Sequence, residues 1–160
     1  MASPSPDLSA EAAISPHDVE SVRAWIAGWS DEVAAVDFDS ASRRFASDVS
    51  AFGTHADVII GLDRLVAEQW QQIWPAIEDF RFQSEDLQVL LSPDRRQAVA
   101  VLPWTSTGIG LDGDRFDRPG RATVVLRRPS PGDPWVGVHT HLSLGRGVPQ
   151  TTHGRRAPRQ

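Results

Sequence analysis

Four β segments follow one another in the second half of the chain, at about residues 79–91, 97–109, 115–128 and 135–144. Their connectors are short and rich in turn residues: Ser92-Pro93-Asp94, Leu111-Asp112-Gly113-Asp114 and Pro129-Ser130-Pro131-Gly132-Asp133-Pro134. Such connectors leave no room for crossover helices, so the strands must form an antiparallel meander. The first half reads differently. Ser15 suits an N-cap, Pro16 the first helical position, and Val19, Val22, Ile26, Trp29 and Val33 recur at spacings of three and four. This predicts an amphipathic helix to about Val36. Asp39 or Ser40 caps a second short helix through Ala41, Phe45 and Ala46. Residues 49–54 and 58–61 read as two short strands. Leu62 to Trp74 reads as a third helix stopped by Pro75, with Leu65, Val66, Gln69, Trp70 and Ile73 near one face. The sum is an α+β fold, a strongly curved antiparallel sheet wrapped around the N-terminal helices.

Residues 1–15, rich in Ser, Pro and Ala, are expected to form a disordered arm, 16–144 one domain, and 145–160 a disordered basic tail with Arg146, Arg155, Arg156 and Arg159. No apolar run approaches the roughly 20 residues that span a bilayer. The N-terminus lacks the basic and apolar regions of a secretory signal, so a cytoplasmic protein with no membrane partner is expected. Composition removes whole mechanisms. The chain has no Cys, no Tyr and no Lys, its sixteen basic residues all being Arg. That excludes thiolate nucleophiles, a phenol donor, Schiff-base chemistry and a phosphate-loop lysine. A net charge of −5 argues against nucleic acid as a partner. Proton transfer is left to five His and twenty-one carboxylates.

The last strand alternates. Trp135, Gly137, His139, His141 and Ser143 would share one face and Val136, Val138, Leu142 and Leu144 the other. Two imidazoles and a hydroxyl make the wall of a polar pocket. His139 and His141 are the candidate catalytic residues, acting as base or hydrogen-bond donor and its partner, with Ser143 as a positioner. The competing reading has both imidazoles satisfying polar groups at a barrel mouth or facing a dimer partner. No third ligand lies on this strand, so neither a metal nor another cofactor is expected. The candidate ligand-binding residues are Trp29, Phe52, Trp70, Trp104, Val124, Trp135 and Ser143. Trp104 follows Ala98, Ala100 and Leu102 at intervals of two, so small residues would leave space that the indole closes.

Four stretches, in order, carry a family resemblance: residues 43–49 (RRFASDV); Phe52-Gly53-Thr54 leading to Gly61-Leu62-Asp63; residues 121–128 (RATVVLRR); and Trp135 through His139-x-His141-x-Ser143. From about Val19 to Ser143 the chain resembles the SnoaL-like group of the nuclear transport factor 2-like, ketosteroid isomerase-like superfamily. The last two stretches are similar to the final hairpin of the calcium/calmodulin-dependent protein kinase II association domain. The resemblance implies a cystatin-like α+β cone, with its sheet wrapped around the first helix, a pocket at the open end and homodimerisation through the outer sheet surface. It implies no single activity, because the superfamily holds isomerases, cyclases, dehydratases and assembly domains. Steroid isomerase relatives rely on a Tyr this chain lacks, polyketide cyclases on an acid where this chain has His, and Val124 stands where the kinase association domain carries an Arg. The expected function is binding of a small apolar or carbonyl-containing metabolite in the cone, with cofactor-independent acid/base chemistry of the isomerase, cyclase or dehydratase type. The alternative is a non-catalytic dimerisation module.

Overall fold

A computed structural model describes residues 15–155. The arm expected over 1–15 lies outside the described residues except for Ser15, as does the tail beyond 155. Helix α1 (Pro16–Ala35) begins with Pro in the first turn after Ser15 and buries Val22, Ile26, Trp29 and Val33 along one stripe. Helix α2 (Phe38–Ser42) is capped by Asp37, whose carboxylate accepts from Ser40 N at 3.0 Å, rather than by Asp39 or Ser40. Strands β1 (Phe45–Phe52) and β2 (Ile59–Ile60) follow. Helix α3 spans 62–76: an α turn (Leu62–Leu65), a π turn (Val66–Trp70), an α turn (Gln71–Ile73) and a 3-10 turn (Trp74–Ala76) that accommodates Pro75. No helix among the described residues is long and apolar enough to cross a membrane.

Two of the four expected long strands are each broken in the middle. The first becomes β3 (Glu78–Phe82) and β4 (Gln88–Leu91), separated by a 3-10 turn at Ser84–Asp86. The unbroken strand is β5 (Gln97–Ile109), and the next splits into β6 (Arg115–Asp117) and β7 (Gly120–Arg127). Pro119 causes that split, since it has no N–H for the ladder. Register is nonetheless kept across it, because Arg118 and Ser106 exchange backbone bonds of 2.9 and 3.1 Å. Strand β8 (Val136–Leu144) completes a sheet of order β2-β1-β8-β7-β5-β3, with β4 and β6 also pairing β5. All pairs are antiparallel except β1 with β8. The helices sit on one face, as the α+β reading requires.

The last strand does not keep a single alternation. Val125 pairs with His139 and Leu126 with Gly137, so β8 carries one extra residue, Val138, opposite β7. Such a bulge reverses the side-chain parity beyond it. Trp135 and Gly137 face the core before the bulge, and Thr140 and Leu142 face it afterwards. His139, His141 and Ser143 consequently turn to the outer face. The segment after β8 also departs from expectation. Thr152 Oγ1 accepts from Ile109 N (2.9 Å) and donates to Ala76 O (2.6 Å), and His153 N donates to Ile109 O (2.8 Å). Through Arg155 the chain is therefore fastened across the ends of β5 and α3 rather than running free from residue 145.

Candidate functional site

A hollow of about 40 Å³ lies between α1, α3 and the inner face of the sheet. The π turn of α3 sets its helical wall. Because that turn takes an extra residue, both Gln69 and Trp70 face inward, followed by Ile73 and Trp74. Helix α1 contributes Trp29 and Val33, and the sheet contributes Phe80, Trp104, Thr140 and Leu142. Trp104 reaches its place because residue 120 is glycine: a Cβ there would stand 2.1 Å from the indole. Gly53 makes room for Gln69 in the same way, at 2.8 Å from its amide nitrogen.

The polar groups are few and linked. Gln69 Oε1 accepts from His55 N (3.2 Å) and Ala56 N (2.7 Å), which fixes the amide orientation. Its Nε2 then donates to Thr54 Oγ1 at 3.5 Å. The same hydroxyl oxygen accepts from Arg118 Nη2 at 2.9 Å. Arg118 is 1% exposed and its guanidinium carbon lies 5.5 Å from the Trp104 ring centre. Burial lowers its pKa to about 10. Among the described residues none of the groups lining the hollow is an imidazole or a carboxylate, and no three His, Asp or Glu cluster to hold a metal.

Of the residues expected to bind a ligand, Trp29, Trp70 and Trp104 line the hollow, while Phe52 borders it with its ring turned to His141 on the outer face. Val124, 0% exposed, is packed in the core away from that wall. Ala98 and Ala100 are likewise sealed in the core, so the space lies on the Trp104 side and not beside the alanines. Trp135 belongs to the far end of β8, where its Nε1 donates to Ser21 Oγ at 2.8 Å and the Arg128 guanidinium stacks 3.9 Å from its ring. The expected projection of His139, His141 and Ser143 into the cone is corrected by the Val138 bulge. His139 Nδ1 lies 2.9 Å from Ser50 O and 3.1 Å from Ser50 Oγ, and the Phe52 ring lies 4.2 Å from that of His141. Ser143 Oγ accepts from Arg121 Nε at 3.1 Å. Burial, then the charges of His139 and Arg121, hold the His141 pKa below its ordinary value.

Arg118 is the residue that sequence reading missed. The expected strand over 115–128 gives it the parity of Ala122, Val124 and Leu126, but nothing in the sequence shows that it lacks an anionic partner.

Solved structures with the same architecture are numerous. A candidate calcium/calmodulin dependent protein kinase II association domain from Xanthomonas campestris superposes with a TM-score of 0.67 at 20% identity, covering 86% of this chain and 96% of that one. A candidate dehydratase of the NTF2-like family from Streptomyces avermitilis gives 0.67 at 19% identity, covering 82% and 98%. A ketosteroid isomerase-like protein from Erwinia carotovora atroseptica gives 0.67 at 14%, covering 81% and 98%. At these identities the likeness is one of fold. No curated protein matches in sequence. The model of the SnoaL-like domain family matches residues 22–147, most of the described fold including the closing β7–β8 hairpin, and the chain belongs to that family.

Proposed function

We propose that this chain binds a small molecule in the hollow of its cone, without acid/base turnover by the histidines. One observation carries the reading: a wall of Trp29, Trp70, Trp74 and Trp104 encloses a short polar chain of Gln69, Thr54 and Arg118. Mostly apolar walls with a few placed polar groups are the usual make-up of a ligand site. A volume of about 40 Å³ holds roughly three waters, so the buried part of the ligand has only a few heavy atoms. This reading gives His139 and His141 no part in the hollow, because both rings lie across the sheet from it.

Tryptophan fluorescence tests it directly, since four of the six indoles line the hollow. Titration with acetate, acetamide, ethanol and acetone is expected to give saturable quenching with at least one probe. That probe should also raise the melting temperature, by an amount corresponding to about 1.4 kcal/mol at ten times its Kd. Silence from all four probes in both measurements would sink the reading.

The outer sheet face supports a second role, self-association. Register places Leu90, Val99, Val125, His139 and Ser50 in one cross-strand row, and Val101, Thr123, His141 and Phe52 in the next. A sheet face turned to water would carry polar residues here. Instead Leu90 is 62% and Val101 40% exposed, a face suited to a second copy of itself. Sedimentation equilibrium is expected to report a dimer that Val101→Arg dissociates. Because protonation of His141, which its surroundings disfavour, adds positive charge beside Arg121, the dimer should also weaken as pH falls below the ordinary imidazole range. A wild-type monomer at every concentration would remove this role.

A further inference from the structure

Among the described residues two arginines are buried, and only one of them has a counter-charge. Arg128, 4% exposed, pairs with the buried Asp18 at 2.7 Å. Arg118, 1% exposed, forms no ion pair with any described residue and meets one neutral hydroxyl and the face of Trp104. Its Nε has no hydrogen-bond partner. A buried cation without an anion is costly, and proteins retain one where something else supplies the charge. The rest of the wall points the same way. Among the described residues the buried side-chain polar atoms lacking a partner are all donors, and three of them, Trp29 Nε1, Trp104 Nε1 and Arg118 Nε, belong to residues lining the hollow. The hydroxyl oxygen beside them, Thr54 Oγ1, already accepts from both Gln69 and Arg118. The hollow is therefore bordered by a buried positive charge without a counter-ion, by residues with unpartnered donors, and by the hydroxyls of Thr54 and Thr140.

We propose that the ligand is a small carboxylate, its two oxygens docked on the Arg118 guanidinium beside Thr54, with its short stem against Trp104. The proposal rests on the hollow being a ligand site. An ionised carboxylate is acceptor-only, matches the planar guanidinium fork and neutralises its charge, whereas an alcohol leaves the buried charge uncompensated. Size restricts the class further: about 40 Å³ fits a group of acetate dimensions. The arginine belongs to this chain's own β6–β7 break, six residues before Val124, the position at which the kinase association domain resemblance would have placed one.

Isothermal titration with sodium acetate, in buffer matched for ionic strength with sodium chloride, is the test, run beside its neutral isostere acetamide. Acetate is expected to bind at least tenfold more tightly than acetamide. Arg118→Met should weaken acetate by about 10- to 100-fold while changing acetamide by less than about threefold. Because that variant could alter folding, the wild-type protein supplies an independent reading: the Arg118 Nε–Hε NMR signal, assigned by its loss in Arg118→Lys, should shift in step with acetate occupancy. Acetamide binding as tightly as acetate would overturn the carboxylate assignment and leave the ligand site standing. Acetate binding that leaves the Arg118 signal unmoved would overturn it in the same way. Absence of binding by either probe, with no response to ethanol or acetone, would remove the site itself.

Discussion

Asp18→Ala is expected to cost about 3–5 kcal/mol of unfolding free energy, the penalty for leaving one member of a buried ion pair alone. Asp18 is 0% exposed in the first turn of α1 and accepts from Arg128 Nη2 at 2.7 Å and Arg95 Nε at 2.6 Å. Arg95 is half-exposed, so water can take over its charge when the carboxylate is lost. Arg128 cannot escape to water: its Nε donates to Arg95 O at 2.9 Å and its guanidinium is stacked on Trp135, itself tied to Ser21. The lost carboxylate would therefore leave a fixed, desolvated charge. Urea denaturation at neutral pH should show a lower midpoint with unchanged slope. A loss below about 1 kcal/mol would mean that water reaches Arg128. Acid supplies a second reading. The Arg95 hydrogen bond, followed by the opposing effect of burial and then by Arg128, leaves the Asp18 pKa lowered to about 2. The folded state thus holds the proton less tightly than the unfolded chain. The contribution is complete above about pH 4 and disappears as pH falls through about 2, worth roughly 2 kcal/mol. Asp18→Ala should lack that part of the acid limb.

The same cluster marks where local sequence reading succeeds and where it stops. Pro16 and the apolar spacing of α1 locate the first helix because both signals act within a few residues. Turn residues and alternation likewise locate β5 from end to end. What escaped needs two strands at once. Val138 is unremarkable in β8, and only its lack of a partner between Val125 and Leu126 makes it a bulge. That single residue moves His139, His141 and Ser143 from the cone to the outer face. Trp135 looked like a pocket aromatic for the same local reason, yet its environment is set by Asp18 and Arg128, more than a hundred residues apart in sequence. Arg118 shows the converse. Its inward direction was implicit in strand parity, but its value lies in a missing partner, and a missing partner is a property of the assembled site.

Trp29→Ala is the second large loss expected, about 3–5 kcal/mol, and it separates packing from recognition at the floor of the cone. Trp29 is 2% exposed and its ring centre lies 5.2 Å from those of Phe45 and Phe82, 5.7 Å from Trp25 and 6.5 Å from Trp70. Four aromatic neighbours on different elements cannot all close on the space, so truncation should leave a cavity rather than a collapse. An apolar cavity of that kind accepts a matching apolar guest. Indole is therefore expected to raise the melting temperature of Trp29→Ala, by an amount equivalent to about 1.4 kcal/mol at ten times its Kd. It should leave the wild-type protein unaffected, because about 40 Å³ does not admit an indole. Calorimetric scans of both proteins with and without indole decide the matter. Equal stabilisation of the two would mean that the wild-type hollow opens readily to bulky aromatics, and the size limit placed on its natural ligand would then fall.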